Sequence, residues 1–194
     1  LNQRIGKSFL LNKNNSSFSF LLSEEKEITS LSQSWENLSK LQNNLEASAF
    51  LLLDDGRFAK LGPEKILPAA SAIKIPILLV VLEKVDSGEL LWDEPLTLTK
   101  EVKGGGAGWM NYQPIGTTFP TFEVATDMIR ISDNTATNLL IKKLGGIKAI
   151  NERFKALGLN STKINNWLPD LKGTNTTSTK DLAKVIAMVD LGQV

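Results

Sequence analysis

The sequence predicts an α/β fold in which a short antiparallel strand pair leads into a mostly helical body. Three patterns predict it. Residues 47–61 hold two apolar runs joined by Asp55-Gly56, a dipeptide typical of tight hairpin turns. Residues 71–85 are apolar on nearly every side, as in a helix at the centre of a domain. Between residues 122 and 192, apolar periods predict four further helices, three of which end at glycines.

The first part of the chain divides into two regions. Residues 1–27 hold two apolar bursts separated by a polar run, which fits either an extra hairpin or an N-terminal arm. From Ile28 the apolar residues recur every three or four positions, and Ser30 lies three residues before Gln33. This pattern predicts an amphipathic helix that begins with a capping box. We expect an N-terminal arm or an extra hairpin at 1–27 and one globular domain over 28–194.

The buried helix is predicted to begin at or near Ser71, because Pro76 is tolerated only in a first turn. Residues 104–108, Gly-Gly-Gly-Ala-Gly, predict a mobile, irregular loop with Trp109 and Tyr112 at its exit. The later helices are predicted over about 122–131, 134–144 and 147–157, and a last one opens on a capping box, Ser178 to Asp181, and ends at Gly192.

Composition excludes several functions. The 194 residues include 22 basic and 21 acidic ones, so neither nucleic acid nor an anionic membrane surface is a predicted partner. No transmembrane segment and no signal peptide is predicted in this chain. Histidine and cysteine are absent, which excludes a Ser-His-Asp triad, cysteine nucleophiles and the usual zinc sites, so no metal or cofactor is predicted. A serine nucleophile would then pair with a lysine of lowered pKa.

Ser71-Ala72-Ile73-Lys74 offers such a pair. The spacing of three places Ser71 and Lys74 on one helix face, and an apolar core lowers the pKa of a lysine. Free N–H groups at a helix N-terminus can also stabilise an oxyanion. The simpler alternative is an N-cap serine beside a lysine whose amine reaches solvent. The same spacing in Ser23-Glu24-Glu25-Lys26 shows that the tetrapeptide alone does not decide.

Ser132-Asp133-Asn134 is the second motif. All three residue types favour helix N-termini, so capping alone would account for it. If the helix that follows packs against the Ser71 helix, Ser132 could pass a proton to a leaving nitrogen and Asn134 could hold an amide carbonyl.

Together these motifs resemble the class A β-lactamases within the penicillin-recognising serine hydrolases, over about residues 28–194. The resemblance is carried by Ser71-Ala72-Ile73-Lys74-Ile75-Pro76, Val85 to Leu90 with Asp93-Glu94-Pro95, Ile131 to Ala136 with Asn138-Leu139-Leu140, and Leu144-Gly145-Gly146. It implies the β-lactamase/transpeptidase-like fold and a periplasmic or other extracytoplasmic location.

The resemblance also implies roles for single residues. Ser71 would form an acyl-enzyme with a β-lactam or a peptidoglycan-like peptide, with Lys74 as base or base-assistant. Ser132 would relay a proton, and Asn134 would bind the substrate. One of the two aromatic residues after the glycine-rich loop, Trp109 in the first place, would line the pocket rim; core packing is the alternative for either.

Departures from the family concern its hydrolytic loop. Leu168 stands where the family has the deacylating Glu, and Lys172 replaces an Asn that helps to hold the hydrolytic water. Asn166 and Asn175 replace the Arg and Asp that close the loop, which is also shorter. Asp170 could substitute as base, but a solvated loop acid is the simpler expectation. Because a general base contributes about 10²–10⁴ in rate, deacylation is expected to be weak.

No Lys-Thr-Gly element occurs in the sequence; in the family it lies on a strand beyond the last residue of this chain, with most of the sheet. We therefore expect a partial sheet whose C-terminal strands are absent from this chain. Two alternatives to the enzyme stay open. One is a non-turnover penicillin-binding or antibiotic- or cell-wall-sensing module, and the other is a degenerate scaffold whose serines only cap helices. The natural substrate and the oligomeric state are not predicted.

Overall fold

The computed structural model describes residues 24–41 and 46–192. Within them the chain forms six α-helices and three short antiparallel strand pairs. In chain order these are α1 (Thr29–Lys40), β1 (Ala49–Leu52), β2 (Phe58–Leu61), β3 (Leu67–Pro68), α2 (Lys74–Asp86), β4 (Pro95–Thr97), β5 (Thr118–Pro120), α3 (Thr121–Arg130), α4 (Asn134–Lys143), α5 (Gly146–Ala156), β6 (Thr176–Thr177) and α6 (Thr179–Asp190). The predicted α/β class, a helical body with a partial antiparallel sheet, is confirmed. The prediction for residues 1–23 lies outside the described residues, and the boundary at residue 27 stays a prediction.

The predicted hairpin is formed by β1 and β2. The two strands pair antiparallel, with Leu52 opposite Phe58 at the turn end. Gly56 has a φ of 82°, and the Asp55 carboxylate accepts the backbone N–H of Arg57 at 3.0 Å. Glycine supplies the left-handed backbone that the turn needs, and aspartate supplies the acceptor, which is why this dipeptide predicted the turn.

Helix α1 was predicted, but its capping box is wrong. The helix begins at Thr29 with Ile28 as N-cap and without a side-chain cap, so Ser30 is already inside the first turn. The reason is a contact from elsewhere in the chain. The backbone N–H of Ile28 donates to the carbonyl of Phe58 at 2.7 Å, which fixes the start of the helix against β2. A bond between residues 30 apart leaves no local signal in the sequence.

Helix α6 begins as predicted, with one of the two hydrogen bonds of its capping box. The Ser178 hydroxyl accepts the backbone N–H of Asp181. The carboxylate of Asp181 does not return to the cap; it accepts the N–H of Ser161 at 2.9 Å and the hydroxyl of Thr162 at 2.8 Å. This side chain therefore ties the start of α6 to the turn after α5.

Helix α2 lies at the centre of the body, as predicted. It packs against α3, α4, α5 and α6, and its residues Ile77, Leu79 and Val81 are fully buried. A 3₁₀ turn, Ala70–Ile73, precedes it, so Ser71 lies in that turn and Lys74 is the first residue of the α-helix. Pro76 falls in the first α-helical turn, where its missing N–H costs nothing.

Two further strand pairs were not predicted, because two or three residues carry no periodic pattern. β3 pairs with β6, with Leu67 opposite Thr177, and β4 pairs with β5. The first pair matters for the site, since β3 leads directly into the 3₁₀ turn that carries Ser71. Helices α3 to α5 begin and end within one residue of the predicted bounds. Among the helices of residues 24–41 and 46–192, none is both long and apolar enough to cross a bilayer.

Candidate active site

The amine of Lys74 is the centre of the site. Its Nζ lies 2.6 Å from the carbonyl oxygen of Ser132, 2.8 Å from Ser132 Oγ and 3.0 Å from Asn134 Oδ1. Ser71 Oγ lies 3.4 Å from the same amine and 2.8 Å from Ser132 Oγ. The structure therefore brings together four of the residues that the sequence singled out. Ser71 is exposed whereas Lys74 is buried. A substrate can therefore reach Ser71 from solvent, while the amine beside it is shielded from water.

Two unusual backbone conformations create this geometry. Ala70, next to Ser71, has a φ of 44°, and Ser132 has a φ of 60°. The turn around Ser132 is closed by the carbonyl of Asp127, which accepts the backbone N–H of Asp133 at 3.1 Å. The left-handed turn directs both the carbonyl and the hydroxyl of Ser132 at Lys74. Such conformations cost about 1–3 kcal/mol each and persist where the surrounding structure fixes them, often at functional sites.

The electrostatics of Lys74 suit a proton acceptor. Its side chain belongs to a residue only 2% exposed. Burial lowers the pKa of Lys74 from 10.5 to about 8, and the negative charge of Asp133 partly opposes this. Two of its contacts, Ser132 O and Asn134 Oδ1, can only accept hydrogen bonds. They satisfy both N–H groups of a neutral amine, which leaves the lone pair for a serine hydroxyl.

Asp133, the middle residue of the second motif, is a structural anchor that is 1% exposed. Its carboxylate caps α4 by accepting the N–H of Ala136 at 2.9 Å. It also accepts the N–H groups of Trp109 at 2.7 Å and Met110 at 2.9 Å. Capping was the simpler expectation for this motif, and it holds for Asp133. The link to the residues that follow the glycine-rich loop had no signal in the sequence, since it spans more than 20 residues.

The glycine-rich loop, residues 104–108, is irregular as predicted and is bound along the start of α4. The N–H of Gly104 donates to Thr135 Oγ1 at 3.0 Å, and the N–H of Asn134 donates to the carbonyl of Ala107 at 3.1 Å. Asn134 Nδ2 donates to the carbonyl of Gly105 at 2.9 Å. The amide of Asn134 thus joins Lys74 on one side to the loop on the other.

The two candidate rim aromatics, Trp109 and Tyr112, differ in how they are held. The indole N–H of Trp109 donates to Asp127 Oδ2 at 2.7 Å, and its ring lies edge-on to Phe119 with centroids 5.7 Å apart. Tyr112 is 76% exposed. Within the described part of the chain, the ring and hydrogen-bond contacts of Trp109 are those of packing against α3 and β5. Contact of either aromatic with a substrate stays a prediction.

Leu168 lies with its side chain in the hydrophobic core, 6% exposed. Its backbone is clamped by the side chain of Asn138, which donates to Leu168 O at 2.7 Å and accepts Leu168 N–H at 2.9 Å. The side chain carries only carbon and hydrogen and offers no proton acceptor to the site. The signal for Asn138 was available in hindsight: an amide within a buried apolar helix needs partners.

The loop 165–175 is closed by amides. Oδ1 of Asn175 accepts the backbone N–H groups of Asn165 at 2.8 Å and Asn166 at 2.9 Å, and its Nδ2 donates to Asn166 O at 3.1 Å. The predicted Asn166–Asn175 contact therefore runs from a side chain to backbone. Lys172, at the position of the family's water-holding Asn, is exposed.

Asp170, the expected loop acid, belongs to the same closure. Its half-buried carboxylate accepts the hydroxyl of Thr174 at 2.9 Å and the backbone N–H of Asn175. Burial raises the pKa of Asp170, but these hydrogen bonds outweigh it and hold the pKa below its usual value. The carboxylate is occupied within its own loop.

A lysine-centred pair of serines on a helical body with a partial sheet defines the class of protein. Residues 30–194 match the model of the beta-lactamase enzyme family, and the chain belongs to that family. It is similar to the solved structure of PBP-A, with 42% identity and a TM-score of 0.83 over 86% of this chain and 63% of PBP-A. A leucine-to-glutamate mutant of PBP-A, solved as an acyl-enzyme complex with penicillin G, gives 42% identity and a TM-score of 0.84 over 89% of this chain and 66% of that one.

Curated relatives are more distant. The beta-lactamase of Bacillus licheniformis is 26% identical over 162 residues, which are 79% of this chain and 50% of the relative. The beta-lactamase of Streptomyces lavendulae is 28% identical over 138 residues, 66% of this chain and 45% of the relative. The chain therefore spans about half the length of these curated relatives.

Proposed function

We propose that this protein forms an acyl-enzyme through Ser71 with β-lactams or with related acyl peptides of the peptidoglycan type, and that it hydrolyses the adduct slowly. One observation carries the proposal: the buried amine of Lys74 lies within hydrogen-bond distance of two serine hydroxyls from separate turns. The names of the relatives favour the same substrates, since a PBP-A mutant holds penicillin G as an acyl-enzyme. We also propose an extracytoplasmic location, which membership of this family favours.

The distances favour an indirect proton path. Ser71 Oγ is 2.8 Å from Ser132 Oγ, which is 2.8 Å from Lys74 Nζ, whereas the direct separation of Ser71 from the amine is 3.4 Å. In the structure the Ser132 hydroxyl donates to Ser71 Oγ. For the transfer this hydroxyl turns to Lys74, and Ser132 accepts the proton of Ser71 as it gives its own to the amine. Lys74 is the base, and Ser132 is the link through which it acts.

During acylation the proton that leaves Ser71 is passed on to the leaving group. Ser71 Oγ forms a bond to the carbonyl carbon of the substrate, and the carbon–nitrogen bond of the lactam or peptide breaks. The leaving nitrogen receives the proton that Lys74 took up, returned through Ser132, and the amine is neutral again. The backbone N–H of Ser71, in the 3₁₀ turn that precedes α2, is our candidate donor to the developing oxyanion. The second N–H of Asn134 Nδ2 is available for an amide carbonyl of the substrate.

Slow deacylation follows from Leu168. Water needs a general base to attack an ester, and the Leu168 side chain has none to offer at the position where the family carries its Glu. The carboxylate of Asp170 is bound within its own loop. The same residue favours the second candidate function, a penicillin-binding or cell-wall-sensing module in which the long-lived adduct is itself the output.

Labelling with a fluorescent penicillin tests the proposal. We expect one covalent equivalent per protein, mapped by mass spectrometry to the peptide that contains Ser71. Ser71→Ala should remove the label, and Ser87→Ala, which changes an exposed serine after the other end of α2, should not. Absence of label on folded protein would support the degenerate scaffold instead. Steady turnover of a chromogenic β-lactam after the first equivalent favours the enzyme, and a burst without turnover favours the sensing module.

A further inference from the structure

Another groove lies outside the candidate active site, and we call it the α5 groove. One of its walls is formed by α5, with Lys148, Asn151 and Lys155, and the other by residues 163–165. Its cavity measures about 600 Å³, which is within the usual range of ligand-binding sites. None of the described hydrogen-bond partners of Lys74 lines it. The acylation chemistry therefore does not account for this groove.

The two walls of the α5 groove are joined by the side chain of Asn151. Its Nδ2 donates to the carbonyl of Ile164 at 2.7 Å, and its Oδ1 accepts the N–H of the same residue at 2.8 Å. The side chain of Ile164 is 1% exposed and belongs to the hydrophobic core. The fold itself therefore holds the groove in shape, and a ligand would meet it preformed, without the cost of ordering it.

The rim of the α5 groove carries positive charge that the described residues do not balance. Three lysines and one glutamate line it: Lys148, Lys155, Lys163 and Glu152. Lys148 lies 4.0 Å from Glu152, and both side chains are largely exposed, so this pair contributes little. The exposed side chains of Lys155 and Lys163 form no ion pair with a carboxylate of residues 24–41 or 46–192.

A groove at the end of the β1–β2 hairpin shows the opposite arrangement. Three lysines line it as well, and each lies within 2.9 Å of a glutamate carboxylate: Lys60 with Glu27, Lys65 with Glu46 and Lys180 with Glu64. The fold thus neutralises the lysines of one groove and leaves two lysines of the other without a carboxylate among the described residues. Like charges around a concave surface raise its potential and attract a ligand of opposite charge. The α5 groove is therefore suited to an anionic partner.

We propose that the α5 groove docks an acidic segment of a partner protein in an extended, polyproline II-like conformation. Lys148 and Lys155 are seven positions apart on α5, which is about 10 Å along the helix axis. Residues three positions apart in a polyproline II chain lie on the same side, about 9 Å from each other. Two acidic side chains at this spacing match the two lysines, and Lys163 on the opposite wall supplies a third cation.

The rest of the lining favours a polypeptide. Ile147 is half-buried and gives the groove an apolar surface, against which an apolar side chain between two acidic residues can pack. Asn151 uses one N–H of its amide on Ile164, and the second N–H can donate to a peptide carbonyl. A flat anionic membrane would contact the ends of the lysines but not this lining. The proposal does not depend on acylation, since Ser71 takes no part in it.

Fluorescence anisotropy with a labelled peptide tests this proposal. The probe carries the repeat Glu-Pro-Ile, and a second peptide has the same composition with all its glutamates adjacent. We expect Lys155→Gln/Lys163→Gln to bind the probe about tenfold more weakly than wild type, because two charge pairs are lost. Glu152→Gln should bind it about two- to threefold more tightly, because the negative charge at the rim is removed. The control Lys40→Gln/Lys100→Gln, which removes two exposed lysines outside the groove, should stay within about twofold.

Several results would overturn the proposal. These are no binding of the probe by the wild type, equal losses in the groove variant and in the control, or equal affinity for the peptide with adjacent glutamates. Stronger binding of inorganic polyphosphate or of anionic lipid vesicles than of the probe would overturn the class of partner. Melting temperatures equal to that of wild type would show that the losses are not due to unfolding. Ser71→Ala should bind the probe as wild type does, so docking and acylation can fail separately.

Discussion

The rate of acylation should follow the protonation of Lys74. With a pKa of about 8, the amine is neutral in about a tenth of molecules at pH 7, in half at pH 8 and in about nine tenths at pH 9. Because only the neutral amine accepts the proton of the Ser132 hydroxyl, the rate should rise about tenfold between pH 7 and pH 9 and level off above that. Below pH 7 it should fall about tenfold for each further unit.

The assay is time-resolved labelling with a fluorescent penicillin between pH 6 and 9.5 at constant ionic strength. Lys74→Arg is the control, since a guanidinium stays charged throughout this range and should give slow labelling that does not depend on pH. A flat profile for the wild type, or a rate that still rises tenfold per unit at pH 9.5 as an ordinary lysine of pKa 10.5 would give, would refute the reasoning, because either result would mean that the amine is not the desolvated base.

Three further predictions concern stability and turnover. Because the pKa of Lys74 is lowered in the folded protein, the unfolded chain binds more protons between pH 8 and 10.5. The free energy of unfolding of wild type, measured by urea denaturation, should therefore rise by up to about 3 kcal/mol across that window relative to Lys74→Met. The same pH dependence in both proteins would contradict this prediction. Leu168→Glu should shorten the lifetime of the penicilloyl adduct, followed by mass spectrometry, by a factor of about 10²–10⁴, whereas the adduct of Leu168→Gln should stay long-lived. Because Leu168 is only 6% exposed, the glutamate should also lower the free energy of unfolding by about 1–3 kcal/mol. Ser178→Ala should cost about 1 kcal/mol of stability because it removes a cap, whereas Ser30→Ala, inside the first turn of α1, should cost almost nothing; equal losses would restore the capping box at Ser30.

The helical body could be predicted because its signals are local. Apolar spacing within one helix and the glycine or serine at its ends lie within a dozen residues, so α3 to α5 were placed within one residue. The error at the start of α1 came from a contact between distant residues, because Phe58 sets that start from 30 positions away. The bonds of Asp170 to Thr174 and Asn175 lie within one loop, and no periodic pattern indicates them.

The candidate site likewise has one part that the sequence predicts and another part that it does not. Ser71 and Lys74 were predicted because their spacing is a property of one helix, and the second motif was joined to them by resemblance to a family. What the sequence could not give is the positive φ of Ser132, which turns its carbonyl as well as its hydroxyl onto the amine. The hydrogen bonds of Asn138 and Asn175 were not predicted either, because these side chains bind backbone groups of segments about 10 to 30 residues away.

The carbonyl of Ser132 explains how the fold tolerates a lysine in a dry site. A buried amine that kept its charge would be costly, and one that lost it would need partners for its remaining N–H groups. The two obligate acceptors, Ser132 O and Asn134 Oδ1, satisfy the neutral form, and Ser132 Oγ completes the set for the charged form. Both protonation states are therefore bonded at the same place without movement of the backbone. A proton can enter and leave the amine without loss of these bonds, as the proposed acylation requires, and the positive φ of Ser132 is the structural feature that permits it.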